Sequence, residues 1–208
     1  MTTIAATSQD TEQYGVAGLS DHKRRLLDAM SHVVARKGYA DTTIADLAAE
    51  ARVSRRTFYE HFSTKDECLI ALYELASEQA LAVLKSHVDT RRDWHTQVEQ
   101  ALGAYLATLA CNPTLLRTLF IAILGLGAEG LAARRHVNQR LADFILEVVN
   151  GSPGGHRKSP MPAADAMGIV GAINELILQA IEENRVQRLA DLTPDAARLA
   201  RAVIDGSA

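Results

Sequence analysis

The chain has 208 residues, of which 48% are hydrophobic and 23% charged, and its formal net charge is −3 at pH 7. These values are ordinary for a soluble globular protein with one large or two small domains. No uninterrupted apolar run approaches the ~18 residues of a membrane-spanning helix, and the N-terminus lacks the segments of a secretory signal. We therefore expect a cytoplasmic protein without a membrane partner.

The first predicted element follows an N-terminal tail. Residues 1–19 show no sustained periodicity, which predicts a flexible tail. From Ser20 or Asp21 to Lys37 apolar residues recur at helical spacing, and Gly38 ends this first helix. Its apolar positions are Leu26, Leu27, Met30, Val33 and Val34.

Residues 42–65, TTIADLAAEARVSRRTFYEHFSTK, predict two short helices joined by a tight turn. The first runs from about 44 to 51 by its apolar spacing. Thr43 is a good N-cap for it, and Asp46 stands where the acid of a capping box would lie.

The second short helix begins after Ser54, which can cap it. Phe58 and Phe62 fall on one face and are expected in the core, while long hydrogen-bond donors occupy the other faces. Two short helices of this kind are typical of a helix-turn-helix, whose second helix enters the DNA major groove.

The segment VSRRTFYEHFSTK, with the preceding TTIADLA, resembles the N-terminal DNA-binding domain of the tetracycline-repressor (TetR) family. It shares a hydroxyl residue before the recognition helix, a T-(aromatic)-Y-x-H-(aromatic) core and a lysine at the start of the next helix. The resemblance implies an all-α, homodimeric transcriptional regulator, in most cases a repressor that a small ligand releases from DNA.

The resemblance also implies which side chains contact double-stranded DNA. Arginine can fork onto guanine, while hydroxyl, imidazole and ammonium groups suit phosphate oxygens. The alternative is a solvated charged face, and this choice also stays open for Lys23, Arg24 and Arg25 of the first helix. The implied DNA-binding residues are Thr43, Ser54, Arg55, Arg56, Thr57, Tyr59, His61 and Lys65, with Thr43 and Lys65 on phosphates.

Arg52 departs from the family pattern, because the family usually has glycine at this turn position. If the position requires a left-handed backbone, a residue other than glycine costs roughly 1 kcal/mol there. The alternative is a slightly reshaped turn.

The charge of the chain is unevenly divided. Residues 20–65 carry nine basic and six acidic groups, a net charge of +3, whereas residues 66–208 have a net charge of −4. The positive end is the one predicted to bind phosphate.

The remainder of the chain is patterned as six further helices without strand periodicity. The helix over 114–126 is apolar almost all round, so we expect it to be buried within a bundle. The predicted ranges are about 64–85, 93–111, 114–126, 128–149, 163–184 and 194–204, with a Gly/Pro-rich loop over 150–162 and a connector over 185–193.

A dimer is expected because one short helix makes too few base contacts. Each good base contact discriminates by about 1–3 kcal/mol, which cannot outcompete the non-specific sites of a genome. Two rigidly held copies reading a palindromic operator can. The helix over 163–184 has a strip of small residues that predicts close approach of a partner helix; the alternative is a strip covered by the chain's own helices. The side of the helix that carries this strip holds Ala164, Gly168, Gly171 and Ala172, together with Glu175.

Aromatic and polar residues of the C-terminal region predict a site for a small, largely hydrophobic effector. Buried polar groups need partners, which are either each other or a ligand. The alternative is that the aromatics are plain core and that Arg134 reaches solvent from a helix end. The candidate ligand-binding residues are Trp94, Tyr105, Phe120, Arg134, Asn138 and Asn174.

Catalytic motifs do not emerge from the sequence. The seven histidines are scattered, and no HExxH, GxSxG or phosphate-cradling glycine loop is present. Cys68 and Cys111 lie in helical patterns without metal-ligand spacing, so we expect both to be buried and reduced. A redox switch using them is the alternative.

The sequence thus predicts a DNA-binding regulator rather than an enzyme, with no cofactor and no metal. The expected organisation is a flexible tail over 1–19, a three-helix helix-turn-helix domain over 20–66 and an effector-binding and dimerisation domain over 67–208, with about nine helices in all. Two alternatives stay open. One is a regulator without an effector; the other is a helical carrier or enzyme, which would show no salt-sensitive DNA binding.

Overall fold

The computed structural model of the chain describes residues 19–88, 93–151 and 159–206. These ranges contain nine α-helices and no strand, which confirms the all-α prediction. The helices are α1 Asp21–Lys37, α2 Ile44–Glu50, α3 Arg55–His61, α4 Lys65–Ser86, α5 Trp94–Ala110, α6 Pro113–Gly125, α7 Gly127–Gly151, α8 Ala163–Glu182 and α9 Thr193–Gly206. A 3-10 helix, Val186–Leu192, occupies the predicted connector. Nearly all of the predicted tail and most of the loop predicted over 150–162 lie outside the described residues.

The described residues pack as two compact units, which divide between Ala82 and Val83. The division lies inside α4, so this helix contributes residues to both units. The functional boundary expected between residues 66 and 67 therefore does not coincide with the packing division, and it stays a prediction.

The first unit is a small bundle whose core comes from all of its helices. Helix α1 starts at the N-cap Ser20, whose side chain accepts a hydrogen bond from the Lys23 amide at 3.2 Å, and ends at Gly38 with φ +80°. Its predicted apolar positions are all buried. The other helices add Leu47, Phe58, Cys68 and Leu69, each at 0% exposure.

In the second unit, α8 packs against α7, α9 and the 3-10 helix. The apolar face of α8 is buried, and it includes Ile169, Val170, Ile173 and Ile177. By length and mean hydropathy (1.3 over 18 residues) α8 would also pass as a membrane-spanning helix, as would the α5 and α6 pair, bent by 92°, if taken as one span. Because 44% of that window of α8 is packed inside the fold, α8 has the pattern of a core helix.

Helix α6 is less buried than its sequence predicted. Leu116, Leu119 and Ile123 pack inward, but Ile121 and Leu124 are 51% and 41% exposed. The prediction that α6 is buried on all sides was therefore wrong for the single chain. Apolar residues on all sides allow a helix to be buried, but the number of sides that are buried depends on how many other helices pack against it.

The prediction for the cysteines was right for Cys68 and wrong for Cys111. Cys68 is buried, and burial raises the pKa of its thiol to about 12, which disfavours the reactive thiolate. Cys111 is exposed, because it follows the last turn of α5 and its sulfur points to the Ala107 carbonyl, 3.3 Å away, rather than inward.

Candidate nucleic-acid interface and effector cavity

Helix α2 is held at its start by a complete capping box. The Thr43 hydroxyl accepts a hydrogen bond from the Asp46 amide at 3.2 Å, and the Asp46 carboxylate accepts one from the Thr43 amide at 2.8 Å. Lys37 also donates to this carboxylate, at 2.6 Å. The hydrogen bonds from Lys37 and Thr43 hold the pKa of the Asp46 carboxyl well below its usual range, so the cap is charged at neutral pH.

The sequence left open whether the turn between α2 and α3 contains a residue with a left-handed backbone. The structure shows that it does. Arg52 has φ +55°, so an arginine occupies a conformation that favours glycine. The turn is closed by the Val53 amide, which donates to the Ala48 carbonyl at 2.9 Å. The guanidinium of Arg25 in α1 donates to the carbonyls of Ala51 and, at 3.0 Å, Arg52. These bonds stabilise the turn in place of glycine.

Helix α3 begins at the N-cap Ser54, as predicted. The Ser54 hydroxyl accepts a hydrogen bond from the Thr57 amide at 3.0 Å and lies 2.9 Å from the Thr57 hydroxyl. Phe58 and Phe62 are buried, with ring centroids 5.8 Å apart, which confirms their assignment to the core. The buried rings set the rotation of α3 about its own axis.

The outward face of α3 therefore presents its long polar side chains to solvent. Arg55 is exposed, the Arg56 side chain is 88% exposed and Tyr59 is 58% exposed. Arg56 donates to the Glu60 carboxylate at 3.3 Å, one turn away on the same helix. An exposed pair of this kind contributes little to stability, so Arg56 can exchange its partner for a phosphate or a base.

The remaining predicted DNA-binding residues lie at the ends of the short helices. Thr43 is exposed at the start of α2, and His61 is half-buried in the last turn of α3. The His61 ring lies 6.3 Å from that of His22 in α1. Lys65 is also half-buried, and its ammonium donates to backbone carbonyls of residues 39–42 rather than pointing to solvent.

The second unit contains a cavity of about 90 Å³ with apolar walls. It is bounded by side chains from α5, α7, α8 and α9 and by Leu84 of α4. Its polar lining residues are Gln97, Tyr105 and Asn174, together with the indole of Trp94. None of the described lining residues carries a charge. The cavity can therefore hold an uncharged apolar group and offer it a few amide or hydroxyl partners.

Three of the six predicted ligand-binding residues line this cavity: Trp94, Tyr105 and Asn174. Asn138 does not line the cavity, but it contacts a residue that does. Its side-chain oxygen accepts a hydrogen bond from the side-chain amide of Asn174 at 3.1 Å. Phe120 and Arg134 are half-buried and do not line the cavity.

Two residues of these sites, Gln97 and Arg25, were not predicted from the sequence in the roles that the structure indicates. Gln97 is buried and lines the cavity, and its position one turn after Trp94 on the inward stripe of α5 could have identified it. Arg25 holds the turn of the helix-turn-helix, and no local signal could have identified it, because its carbonyl partners lie 26 and 27 residues away.

Comparison with known proteins finds a family match within the first unit. Residues 26–72 match the profile of bacterial regulatory proteins of the tetR family. A segment of 56 residues is 34% identical to the uncharacterized HTH-type transcriptional regulator YerO of Bacillus subtilis, covering 27% of this chain and 19% of that protein. The fatty acid metabolism regulator protein of Bacillus subtilis is 22% identical over 127 residues, covering 61% of this chain and 63% of that protein. The aligned region thus spans less than two thirds of both relatives.

The fold as a whole is similar to that of solved structures. One is a transcriptional regulator FadR from Bacillus subtilis in complex with stearoyl-CoA, with a TM-score of 0.70 at 16% identity, covering 88% of this chain and 98% of that one. At this identity the likeness establishes the shared fold alone.

Proposed function

We propose that this chain, whose N-terminal unit belongs to the tetR family of bacterial regulatory proteins, is a cytoplasmic, homodimeric repressor that binds a palindromic operator and is released by a small hydrophobic ligand. The observation that carries the proposal is the geometry of α3. Its aromatic face is locked in the core, so Arg55, Arg56 and Tyr59 project outward from a short rod with a capped N-terminus. A rod of this kind fits the major groove with its N-terminal end leading.

The proposed DNA face has base-reading and phosphate-holding parts. Arg55 and Arg56, at the leading end of α3, are the candidates for base contacts, because guanidinium groups fork onto guanine. Thr57, Tyr59 and His61 are assigned to phosphates or base edges along the same helix, with Ser54 and Thr43 at the N-termini of α3 and α2. The net charge of +3 over residues 20–65 favours approach to DNA.

The function is tested by a shift assay with the DNA upstream of the protein's own gene. The expected result is a discrete complex whose affinity falls steeply as salt is raised, since phosphate contacts release counterions. A mixed-sequence duplex of the same length serves as the control and should bind more weakly. Equal binding to both duplexes, or none to either at low salt, would contradict the proposal.

Replacing Arg55 with alanine is expected to weaken operator binding by about 1–3 kcal/mol, the usual worth of a good base contact, and to reduce selectivity over the mixed-sequence duplex. Arg55 is exposed, so its loss leaves the fold unchanged. Arg36→Ala is the matched control, because Arg36 is an exposed arginine that lies on α1 and pairs with Glu50 instead. Anisotropy titrations of the variants at one salt concentration make the comparison. An Arg55 variant with parental affinity would remove this residue from the interface.

The proposed dimer surface is the outer side of α8 together with α9. Gly168 and Gly171 are exposed, and a Cβ built at either position has no neighbour within 4 Å among the described residues. The described helices of the chain therefore do not cover the small-residue strip at these two positions, which supports the partner helix over the alternative. A second copy related by a two-fold axis would pack there and hold the two α3 helices at a set spacing.

We expect the part of the effector that enters the cavity to be uncharged. Burying a carboxylate or an ammonium there without a partner would be costly, and the described lining offers only neutral polar groups. Arg134 lies outside the described lining, so it is not assigned to the effector. The stearoyl-CoA in the similar structure supports an aliphatic ligand for this fold. A shift of α4, which contributes residues to both units, would transmit ligand binding to the recognition helices.

Filling the cavity is expected to abolish binding of a neutral hydrophobic probe. Ala101 is buried and lines the cavity, so Ala101→Leu should prevent uptake of N-phenyl-1-naphthylamine, which fluoresces in apolar surroundings. Ala107→Leu, at an exposed position of the same helix, is the control and should bind the dye as the parent does. If both variants retain the dye, it binds elsewhere. If the parent protein takes up no dye either, the alternative of a regulator without an effector is favoured. The small size of the cavity, below the usual 300–1,000 Å³ of ligand sites, would fit that outcome.

A further inference from the structure

Two partly exposed basic side chains of the first unit donate hydrogen bonds to backbone carbonyls. The first is Arg25 of α1. One of its terminal nitrogens donates to the carbonyls of Ala51 and Arg52, which follow α2. The last carbonyls of a helix have no partner within the helix, so the guanidinium supplies one where the chain turns toward α3.

The second is Lys65, the first residue of α4. Its ammonium nitrogen lies 3.0 Å from the Thr42 carbonyl, 3.1 Å from that of Tyr39 and 3.4 Å from that of Ala40. An ammonium has three N–H donors, so residues 39–42 provide an acceptor for each of them. A phosphate oxygen would have to displace one of these carbonyls.

The surroundings of Lys65 reinforce this arrangement. The ammonium lies 4.5 Å from the centroid of the Tyr39 ring, within cation–π range. The Tyr39 hydroxyl in turn donates to the carboxylate of Asp66, the next residue of α4. Residues 39–42 are thus attached to the start of α4 through two neighbouring side chains.

We infer that Arg25 and Lys65 are positioning residues that fix the two ends of α2, and that neither contacts DNA phosphate. Helix α2 has only seven residues, so its direction is set at its ends. Lys65 holds the loop that leads into its N-cap Thr43, and Arg25 holds the turn that leads out of it toward Ser54. Together they set the angle at which α3 is presented. This inference rests on the proposed DNA-binding function.

Positioning predicts a different experimental signature from a phosphate contact. Loss of a phosphate contact weakens binding to all sequences alike and makes the dependence of log K on log salt shallower, by about 0.9 per contact. Loss of a positioning residue leaves that slope unchanged and weakens specific binding more than non-specific binding, because only specific binding requires a precise angle of α3.

The experiment compares Lys65→Met with the parent by fluorescence anisotropy over a range of salt concentrations. The probes are a labelled duplex from upstream of the gene and a mixed-sequence duplex of equal length. We expect specific affinity to fall about tenfold or more, the worth of one hydrogen bond to a charged group, with an unchanged salt slope. Arg55→Met is the control for a lost base contact, which should lower specific affinity without loosening the loop and turn around α2 in the DNA-free protein.

Hydrogen exchange of the DNA-free protein provides a second readout. In Lys65→Met the amides of residues 39–53 should exchange faster than in the parent, while Lys65→Arg, which keeps a cationic donor, should restore part of the protection. Unchanged exchange, or a salt slope that falls by about 1.8 for the two subunits of a dimer, would overturn the inference. If the parent binds neither duplex, the proposed function fails, and the exchange result alone decides whether Lys65 holds the loop.

Discussion

Phe58→Ala is expected to unfold the helix-turn-helix unit, whereas Tyr59→Ala, one residue further on, should leave it folded. The Phe58 ring is fully buried and lies against the Phe62 ring, with centroids 5.8 Å apart. Removing a buried phenyl group costs about 3–5 kcal/mol, which is a large part of the 5–15 kcal/mol by which a domain is usually stable. Phe58 is also the one fully buried side chain of the short helix α3.

The measurement is urea denaturation of both variants followed by circular dichroism, with hydrogen exchange of residues 26–62 to locate the change. Tyr59 is 58% exposed, so its variant should stay within about 0.5 kcal/mol of the parent in stability. It should nevertheless bind the operator more weakly, because the Tyr59 side chain belongs to the proposed DNA face. Equal losses of stability in the two variants would contradict the orientation assigned to α3.

Gly171→Glu is expected to separate the proposed dimer and, with it, to abolish tight operator binding. The position is exposed in the single chain and has open space around it, so the variant should fold. In a two-fold interface the substitution would bury a carboxylate from each copy without a partner. Such a charge costs about 3 kcal/mol or more, which weakens the dimer by at least about 100-fold. Operator affinity should fall by a further factor of about 10²–10⁴, because the two recognition helices are no longer linked.

Sedimentation velocity gives the oligomeric state, and anisotropy with the upstream duplex gives the affinity. Ala132→Glu is the matched control, since it also adds a glutamate at an exposed small residue of the second unit but on α7 instead of α8. A Gly171→Glu variant that remains dimeric and binds the operator normally would exclude this face of α8 as the interface. Dissociation of both variants would show that added negative charge alone is responsible.

The candidate DNA interface was largely predictable because its determinants are local. Thr43 and Asp46 are three residues apart, as are Ser54 and Thr57, and each pair forms the hydrogen bonds that its spacing predicts. Phe58 and Phe62 are one helical turn apart and are both buried. These features depend on helical periodicity and on orphan backbone groups at helix ends, which a short stretch of sequence specifies by itself.

The effector cavity was only half predictable because its walls come from distant segments. Helical spacing placed Trp94, Tyr105 and Asn174 on inward faces, and they line the cavity. Arg134 and Phe120, which the sequence also selected, are half-buried and lie outside the described lining. Periodicity defines a face about one helix, whereas the crossing of neighbouring helices decides which part of that face reaches the cavity.

By itself the sequence determined the all-α class, the helix-turn-helix with its caps and the inward faces of its helices, because each depends on residues within a turn or two of one another. Only the tertiary structure decided where the basic side chain of Arg25 is directed. The sequence left Arg25 as a phosphate contact or a solvated charge, and the fold directs it to carbonyls that follow α2. It likewise decided that Cys111 and part of α6 are exposed. The physical reason is that the hydrogen-bond partner of a cation, and the residues that bury a helix face, come from segments tens of residues away in the sequence. A local sequence pattern does not show which of these segments will be close in the fold.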